Sequence, residues 1–314
     1  MKKFEIDCEF LDNFESLHTR KYYQIDLLQF IDFITQKHPT VECFSRVERT
    51  HIIDYKNHLR ECEGKNGHSF APKTISRKLA ALSSYFDYFI EKGALTKSNP
   101  TSSVKRPRKE TRSPTHAIKA EMVELLFSAF ESEGEHRHLH KAIIITLFST
   151  GLRKSELISL KRCHLKKIDT HWILEYRGKG GKLRQKVVHP VALEALDDYL
   201  EWMKSKGREH HPHDWLFQPS MNRHDKNNLD KPLNPRTLNR ILDKYGKKIG
   251  VSGKFSPHSA RATFITRLLE QGVEISRVAQ EVSHSSIMTT QVYDKRRMGL
   301  EDSPIHQLNY KKEA

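Results

Sequence analysis

The chain has little of several features that mark particular classes of protein. Its 314 residues include four cysteines (Cys8, Cys43, Cys62 and Cys163) and no Cys-x-x-Cys pair, which argues against a disulfide framework and for reduced thiols. No apolar run approaches the ~20 residues that a transmembrane helix needs. The start, MKKFEIDCEFLDNFESL, has acids where a signal peptide needs an apolar core. We therefore expect a soluble, cytoplasmic protein that does not engage a membrane.

Acidic side chains are also scarce relative to basic ones. Lys and Arg number 54 against 39 Asp and Glu, for a formal net charge of +15 and a pI near 9.5. The excess is uneven, because residues 1–50 carry 7 basic and 9 acidic side chains whereas residues 151–190 carry 11 and 3. A solvated surface alone could explain a basic balance, but charge gathered in one stretch favours a polyanion as partner, nucleic acid first.

The first hundred residues show helical periodicity. In YYQIDLLQFIDFITQKH the apolar face is predicted to run through Ile25, Leu28, Ile31 and Phe33 to Ile34. TISRKLAALSSYFDYFIEKG repeats the pattern up to Gly93, a helix stop. We predict a helical domain over residues 1–104. The Pro- and Ser-rich, basic segment that follows is predicted to be a linker, residues 105–116, suited to lie along a phosphate backbone.

Residues 117–314 are predicted to form a larger, mostly helical domain with one small sheet. Helices are expected around EMVELLFSAF, HKAIIITLFSTGL, ALEALDDYLEWMKS, RTLNRILDKYGKKIG, SARATFITRLLEQG and SRVAQEV. The β-type runs HWILEYRG and LRQKVVHPV, joined by KGGK, predict a hairpin. The fold class is therefore mainly α with a small β-sheet (α+β).

Two arginines stand where guanidinium groups could grip phosphate. In TGLRKSEL, Arg153 falls at a helix junction, although on this segment alone a local pair with Glu156 is the favoured interpretation. In SPHSARATF, His258 and Arg261 are three apart on a helix that Ser256 and Pro257 start. Their face is separate from the apolar stripe, so we expect both to point together to a cleft or to solvent; an ordinary surface pair is the alternative.

The remaining candidates are a second histidine, a tyrosine and a lysine turn. His284 lies in VSHSS, and Tyr293 follows nine residues later. Its neighbours in sequence are Thr, Gln, Asp, Lys and Arg, which argue against a position in a dry core. A phenol of pKa ~10 needs positive charge or a base nearby to act as a nucleophile. Lys179 and Lys182 lie at the KGGK hairpin tip, which departs from the Walker phosphate-loop pattern and could be a solubilising turn.

Two His-rich tracts, HRHLH (His136, His138 and His140) and EHHPHD (His210, His211 and His213), could in principle bind Zn²⁺ or Ni²⁺. They lack Cys partners, so we interpret them as solvated loops and expect no metal.

Taken in order, these segments resemble the tyrosine recombinases, the family of phage integrases, Cre and the Xer recombinases. TGLRKSEL is similar to the family's first arginine box, and HSAR with SHSSIMTTQVY to its second, including the nine-residue step to the tyrosine. TISRKLAALSSYFDYFIEKG…NP is similar to the core-binding arm. Departures occur beside the catalytic positions: Ala260 and Ala262 flank the second arginine, and Val282 and Ser283 replace the usual Leu-Gly.

The resemblance implies an N-terminal helical core-binding (SAM-like) domain, a catalytic domain and site-specific DNA recombination through a 3′-phosphotyrosyl intermediate. Tyr293 would be the nucleophile, His258 the base, Lys179 the general acid, and His284 a hydrogen-bond donor to a phosphate clamped by Arg153 and Arg261. The resemblance implies no ATP, no other cofactor and no metal.

The implied partners are double-stranded DNA and other protomers, four around two duplexes, with a related recombinase as an alternative partner. The tail, about residues 298–314, would dock on a neighbour. A bacterial or phage origin and association with the nucleoid are expected; phage, integron, transposon and chromosomal roles all stay open. The alternatives are a type IB DNA topoisomerase, which religates the same strand, and a DNA-binding regulator without catalysis.

Overall fold

The computed structural model describes residues 4–61, 69–95, 98–107, 117–221, 229–294 and 304–307, without the side chains of Ala120, Ser132, Glu133, Lys179, Pro304 and Gln307. The chain divides into two compact units, Met1–Glu110 and Thr111–Ala314. Most of the predicted linker lies outside the described residues, so the domain boundaries stay predictions.

The first unit consists of four described α-helices: α1 (Cys8–Asp12), α2 (Leu17–Lys37), α3 (Arg49–Glu61) and α4 (Pro72–Glu91). Helix α4 begins with Pro72 in its first turn and is followed by Gly93 at φ 70°, as the sequence predicts. Helices α2, α3 and α4 pack on one another around a core of Phe, Tyr, Leu and Ile side chains.

The predicted apolar face of α2 was partly wrong. Ile25 and Leu28 are 46% and 51% exposed, whereas Phe33 and Ile34 are buried as predicted, together with the unpredicted Leu27 and Phe30. The helix carries apolar residues on most of its circumference, so their spacing alone does not determine which stripe faces the core.

A buried ionic cluster joins α2 to α4. Asp26 is 1% exposed and Lys78 4% exposed; their ion pair measures 2.9 Å. Arg77 also pairs with Asp26, and the Lys78 ammonium donates a second hydrogen bond to Gln29. Because each buried charge has an opposite partner, the cluster can exist inside the helical core.

The second unit contains α5 (Ala120–Ser128), α6 (Arg137–Thr150), α7 (Lys154–Ile158), α8 (Pro190–Ser205), α9 (Pro235–Lys248), α10 (Pro257–Glu270), α11 (Ile275–Glu281) and α12 (Ile287–Gln291). Helix α6 is buried on most sides and packs against α8 and α10. A smaller apolar cluster forms where α10 and α11 meet the segment before Tyr293. The helices predicted from the sequence are all present.

The sheet has three antiparallel strands in the order β1 (Leu165–Ile168), β2 (His171–Arg177) and β3 (Leu183–Val187). The predicted hairpin is confirmed, since Tyr176 pairs with Arg184 across the glycine turn. Strand β1 was not predicted, because its short run LKKI buries only Leu165 and so lacks an alternating pattern. The mainly α fold with one small sheet is confirmed. None of the described helices is long and apolar enough to span a membrane.

Candidate active site

Arg153 lies in the turn between α6 and α7. Gly151 ends α6 at φ 61°, and an added Cβ there would come within 2.5 Å of the Phe264 ring. Arg153 then forms the N-cap of α7, where its amide and Nη1 donate to the two oxygens of the buried Glu156 carboxylate at 2.7 and 2.8 Å. The local pair with Glu156, offered as the alternative to a functional role, is present, yet the guanidinium still faces a cleft.

Arg261 is buried, contrary to the expectation that it points out with His258. Its side chain is 3% exposed, while His258, three residues earlier on α10, is exposed. Arg261 Nη1 donates to the carbonyl of Gly151 at 2.6 Å, and Nη2 donates to the carbonyl of Val282. Burial, reinforced by the nearby charge of Arg153, lowers the pKa of Arg261 to about 10, which leaves it a cation at neutral pH. It thus ties the first arginine box to the turn before His284.

That turn closes α11 with a left-handed residue. Ser283 has φ 55°; its amide donates to Gln280 O, and the amide of His284 donates to Ala279 O at 2.9 Å. This is the Schellman arrangement, in which glycine is the usual left-handed residue. The serine at this position, one of the departures from the family pattern, therefore leaves the turn geometry intact.

His284 is half-buried directly after this turn. Desolvation first, and then the charges of Arg261, Arg153 and His258, lower the pKa of His284 to about 4. Its Nδ1 lies 2.8 Å from the hydroxyl of Thr290, which is completely buried. With the ring neutral, a hydroxyl that donates to Nδ1 leaves the proton on Nε2, the nitrogen free to donate elsewhere.

Tyr293 packs in the apolar cluster of α10 and α11 and is 7% exposed. The expectation from its polar neighbours in sequence was therefore wrong, because the tertiary fold turns the ring inward. Its hydroxyl lies 3.2 Å from Nε2 of His258, and its ring centroid is 6.2 Å from that of His284. A phenol beside an imidazole nitrogen can pass its proton to that nitrogen.

The cleft beside these groups has a volume of about 350 Å³. Apart from Pro257, the residues that line it are cationic or polar: Arg153, Lys154, Asn239, Lys254, Ser256, His258 and Arg261. Such a lining suits a phosphate group, which offers oxygens for guanidinium donors in pairs.

The remaining candidates from the sequence are the lysines of the hairpin turn and the His-rich tracts. The backbone of Lys179 lies in the turn between β2 and β3, but its side chain is outside the described residues, and Lys182 is exposed in the same turn. In the described part of the chain, no three His, Cys, Asp or Glu side chains are arranged to hold a metal ion. Thr290 was not predicted as a functional residue. In the sequence, its position three residues before Tyr293 is what points to such a role.

The chain is similar to known protein families and to curated proteins. A model of the phage integrase family matches residues 116–299, and a model of the phage integrase N-terminal SAM-like domain matches residues 10–93. The tyrosine recombinase XerD of Halalkalibacterium halodurans is 31% identical over 88% of this chain and 87% of its own length. The tyrosine recombinase XerC of Listeria monocytogenes is 28% identical over 88% and 87%.

Solved structures show the same fold. The XerH recombinase bound to palindromic difH substrate in a post-cleavage complex has a TM-score of 0.70 and 18% identity, covering 93% of this chain and 81% of that one. The Tn1549 transposon integrase with transposon right end DNA has a TM-score of 0.67 and 18% identity, covering 96% and 98%. From these family and sequence matches, the chain belongs to the phage integrase family and is a site-specific tyrosine recombinase, an enzyme that cuts and rejoins DNA.

Proposed function

We propose that this enzyme cuts DNA by direct attack of the Tyr293 phenol on a backbone phosphate held in the cleft. The observation that carries the proposal is the 3.2 Å contact between the phenol and His258, which lines the same cleft as Arg153 and Arg261. The new bond joins the tyrosine oxygen to phosphorus, and the bond from phosphorus to the 5′ oxygen breaks. His258 takes the phenol proton, and Lys179 gives a proton to the departing 5′ oxygen.

The cationic groups stabilise the negative charge that develops on the non-bridging phosphate oxygens. Arg153 and Arg261 each hold a non-bridging oxygen, and His284 donates to the same phosphate through Nε2–H while Thr290 holds its other nitrogen. Two guanidinium groups supply the positive charge that Mg²⁺ supplies in other phosphoryl-transfer sites, so the reaction needs neither metal nor nucleotide cofactor. A 5′-hydroxyl from another strand then reverses the step and conserves the bond energy.

The direct test is capture of the covalent intermediate. Duplexes selected by the protein from a random library, nicked beside the cut position so that religation fails, should accumulate a complex that survives detergent and disappears on protease treatment. Tyr293→Phe should abolish it, whereas Tyr22→Phe, at an exposed tyrosine of the first unit, should not. A complex that persists in Tyr293→Phe would refute the assignment of the nucleophile.

Double-stranded DNA is the proposed substrate, bound mostly through phosphates, so its affinity should fall steeply with salt. Recombination requires four active sites around two duplexes, and we propose a tetramer on DNA in which the tail docks on a neighbour. A chain that ends after Arg297 should bind DNA as before and lose synapsis. Relaxation of supercoils without recombinant product on a two-site substrate would favour a topoisomerase instead.

A further inference from the structure

The end of α11 gathers cationic side chains from three other elements. Three consecutive main-chain carbonyl groups each accept a hydrogen bond from a different cation. The pairs are Lys186 with Glu281 (2.6 Å), Arg261 with Val282, and Arg153 with Ser283 (3.3 Å). The donors come from β3, α10 and the N-cap of α7. The last carbonyls of a helix lack intrahelical partners and carry its partial negative charge, which makes them acceptors for cations.

Lys186 is the member of this set that no catalytic role explains. It is 3% exposed, on the strand position that pairs with Leu174. Its ammonium also contacts a carboxylate oxygen of Glu281 at 2.8 Å and faces the Phe264 ring at 5.3 Å. Desolvation lowers the pKa of Lys186. Because a buried ammonium is costly without close partners, its contacts with Glu281 hold the sheet and the end of α11 at a fixed distance.

The three carbonyl groups cannot move independently. They lie on successive residues of one tight turn, closed by the left-handed Ser283 and by the amide of His284. A shift of the carbonyl at position 281 is therefore transmitted to the next two, which orient Arg261 and Arg153, and to His284. Catalysis that depends on oriented groups is sensitive to such shifts, since a displacement of about 1 Å can cost on the order of a hundredfold in rate.

We propose that Lys186 is a positioning residue for strand cleavage: it holds the main chain of Glu281 and so fixes the carbonyl oxygens that orient Arg261 and Arg153. The inference rests on the proposed function, because it takes these two arginines to hold the scissile phosphate. Lys186 acts through them, and its removal should slow cleavage much more than it weakens DNA binding.

The first test compares Lys186→Met with the parent in the full-length protein. The rate of covalent complex formation at saturating nicked duplex should fall by about tenfold or more, as expected for misplaced catalytic groups. The dissociation constant, measured in a Tyr293→Phe background, should stay within about threefold, since one buried lysine adds little to a phosphate-contacting surface. Lys204→Met, at an exposed lysine of α8 in the same unit, removes the same charge and should leave both values near those of the parent.

A modified substrate separates positioning from a general loss of structure. A methylphosphonate at the cut position has one non-bridging oxygen fewer and no charge, so it depends less on two oriented guanidinium groups. The loss caused by Lys186→Met should shrink to about threefold or less on this duplex if the lysine acts through the arginines. An equal loss on both duplexes would mean that it supports only the fold, and would overturn the proposal.

Two further variants cover the remaining outcomes. Glu281→Gln keeps the main-chain carbonyl and should lose less activity than Lys186→Met; a larger loss would place the effect in the carboxylate and refute the main-chain role. If Lys186→Met does not fold, Lys186→Gln, which keeps a donor, enters the same comparisons. A parent protein that forms no covalent complex refutes the proposed function, whereas an active parent matched by its Lys186 variants refutes only this inference.

Discussion

Removal of the Asp26 carboxylate should destabilise the first unit strongly. Asp26 and Lys78 are both buried, and the substitution Asp26→Ala leaves the Lys78 ammonium in the core with a hydrogen bond to Gln29 and the Phe70 ring 5.3 Å away. Breaking a buried ion pair in this way costs about 3–5 kcal/mol of unfolding free energy. Replacing both partners in Asp26→Leu/Lys78→Met should recover most of that loss, because no buried charge then remains unpaired.

The positions of the tryptophans allow this effect to be assigned to one unit. All three, Trp172, Trp202 and Trp215, lie in the second unit, so their fluorescence in a urea titration follows that unit alone. Far-ultraviolet circular dichroism follows the helices of both units. Asp26→Ala should lower the midpoint of the dichroism transition of the first unit and leave the tryptophan transition in place.

A matched control comes from an exposed ion pair in the same unit. Asp12 is paired with Arg20 at 2.8 Å and is 71% exposed. Asp12→Asn should cost only about 0.2–1 kcal/mol, the usual range for surface pairs. Two results would contradict the argument from buried charge. One is a loss of unfolding free energy below about 1 kcal/mol for Asp26→Ala, and the other is a loss in Asp26→Leu/Lys78→Met that equals the sum of the losses in Asp26→Leu and Lys78→Met alone.

Three further predictions concern the catalytic unit. Thr290→Val should slow cleavage by about tenfold because His284 loses the partner that fixes its tautomer. Thr290→Ser keeps the hydroxyl and should cleave like the parent, and a valine variant that also cleaves like the parent would contradict this. Gly151→Ala should destabilise the unit by about 1–3 kcal/mol in urea, since the new Cβ meets Phe264 at a positive φ. The native pKa of His284, about 4, lies below its ordinary value of 6.5, so its stabilising contribution is complete above pH 6.5 and is lost as the pH falls toward 4. The tryptophan-monitored midpoint should therefore depend less on pH over this window in His284→Gln than in the parent.

Local patterns in the sequence were enough to predict most elements. Helix α10 has Ser256 as N-cap, Pro257 in its first turn and a hydrogen bond between the Ser256 amide and the Ser259 hydroxyl, all short-range features. The hairpin of β2 and β3 follows from β-type runs around a glycine turn. The order and spacing of the candidate catalytic residues likewise needed no coordinates, because the resemblance depends on motifs within short segments.

The features that the sequence did not predict depend on long-range packing. Whether Arg261 faces solvent is decided by carbonyl groups 110 residues before it and 21 residues after it. Tyr293 has polar neighbours in sequence and apolar ones in space. Lys186 looks like an ordinary strand lysine until Glu281, 95 residues further on, is placed beside it. Periodicity also left the phase of α2 undetermined, since several of its stripes are apolar.

The burial of the Tyr293 ring affects what can happen to a cut DNA strand. In the proposed mechanism, the ester on the Tyr293 oxygen is carried by a ring that packs against hydrocarbon side chains of α10 and α11, which restricts the approach of water from that side. Hydrolysis of that ester would turn a reversible cut into a permanent break in the DNA. In that mechanism, the burial of the tyrosine ring favours attack by an incoming 5′-hydroxyl over attack by solvent, so that the broken strand is rejoined.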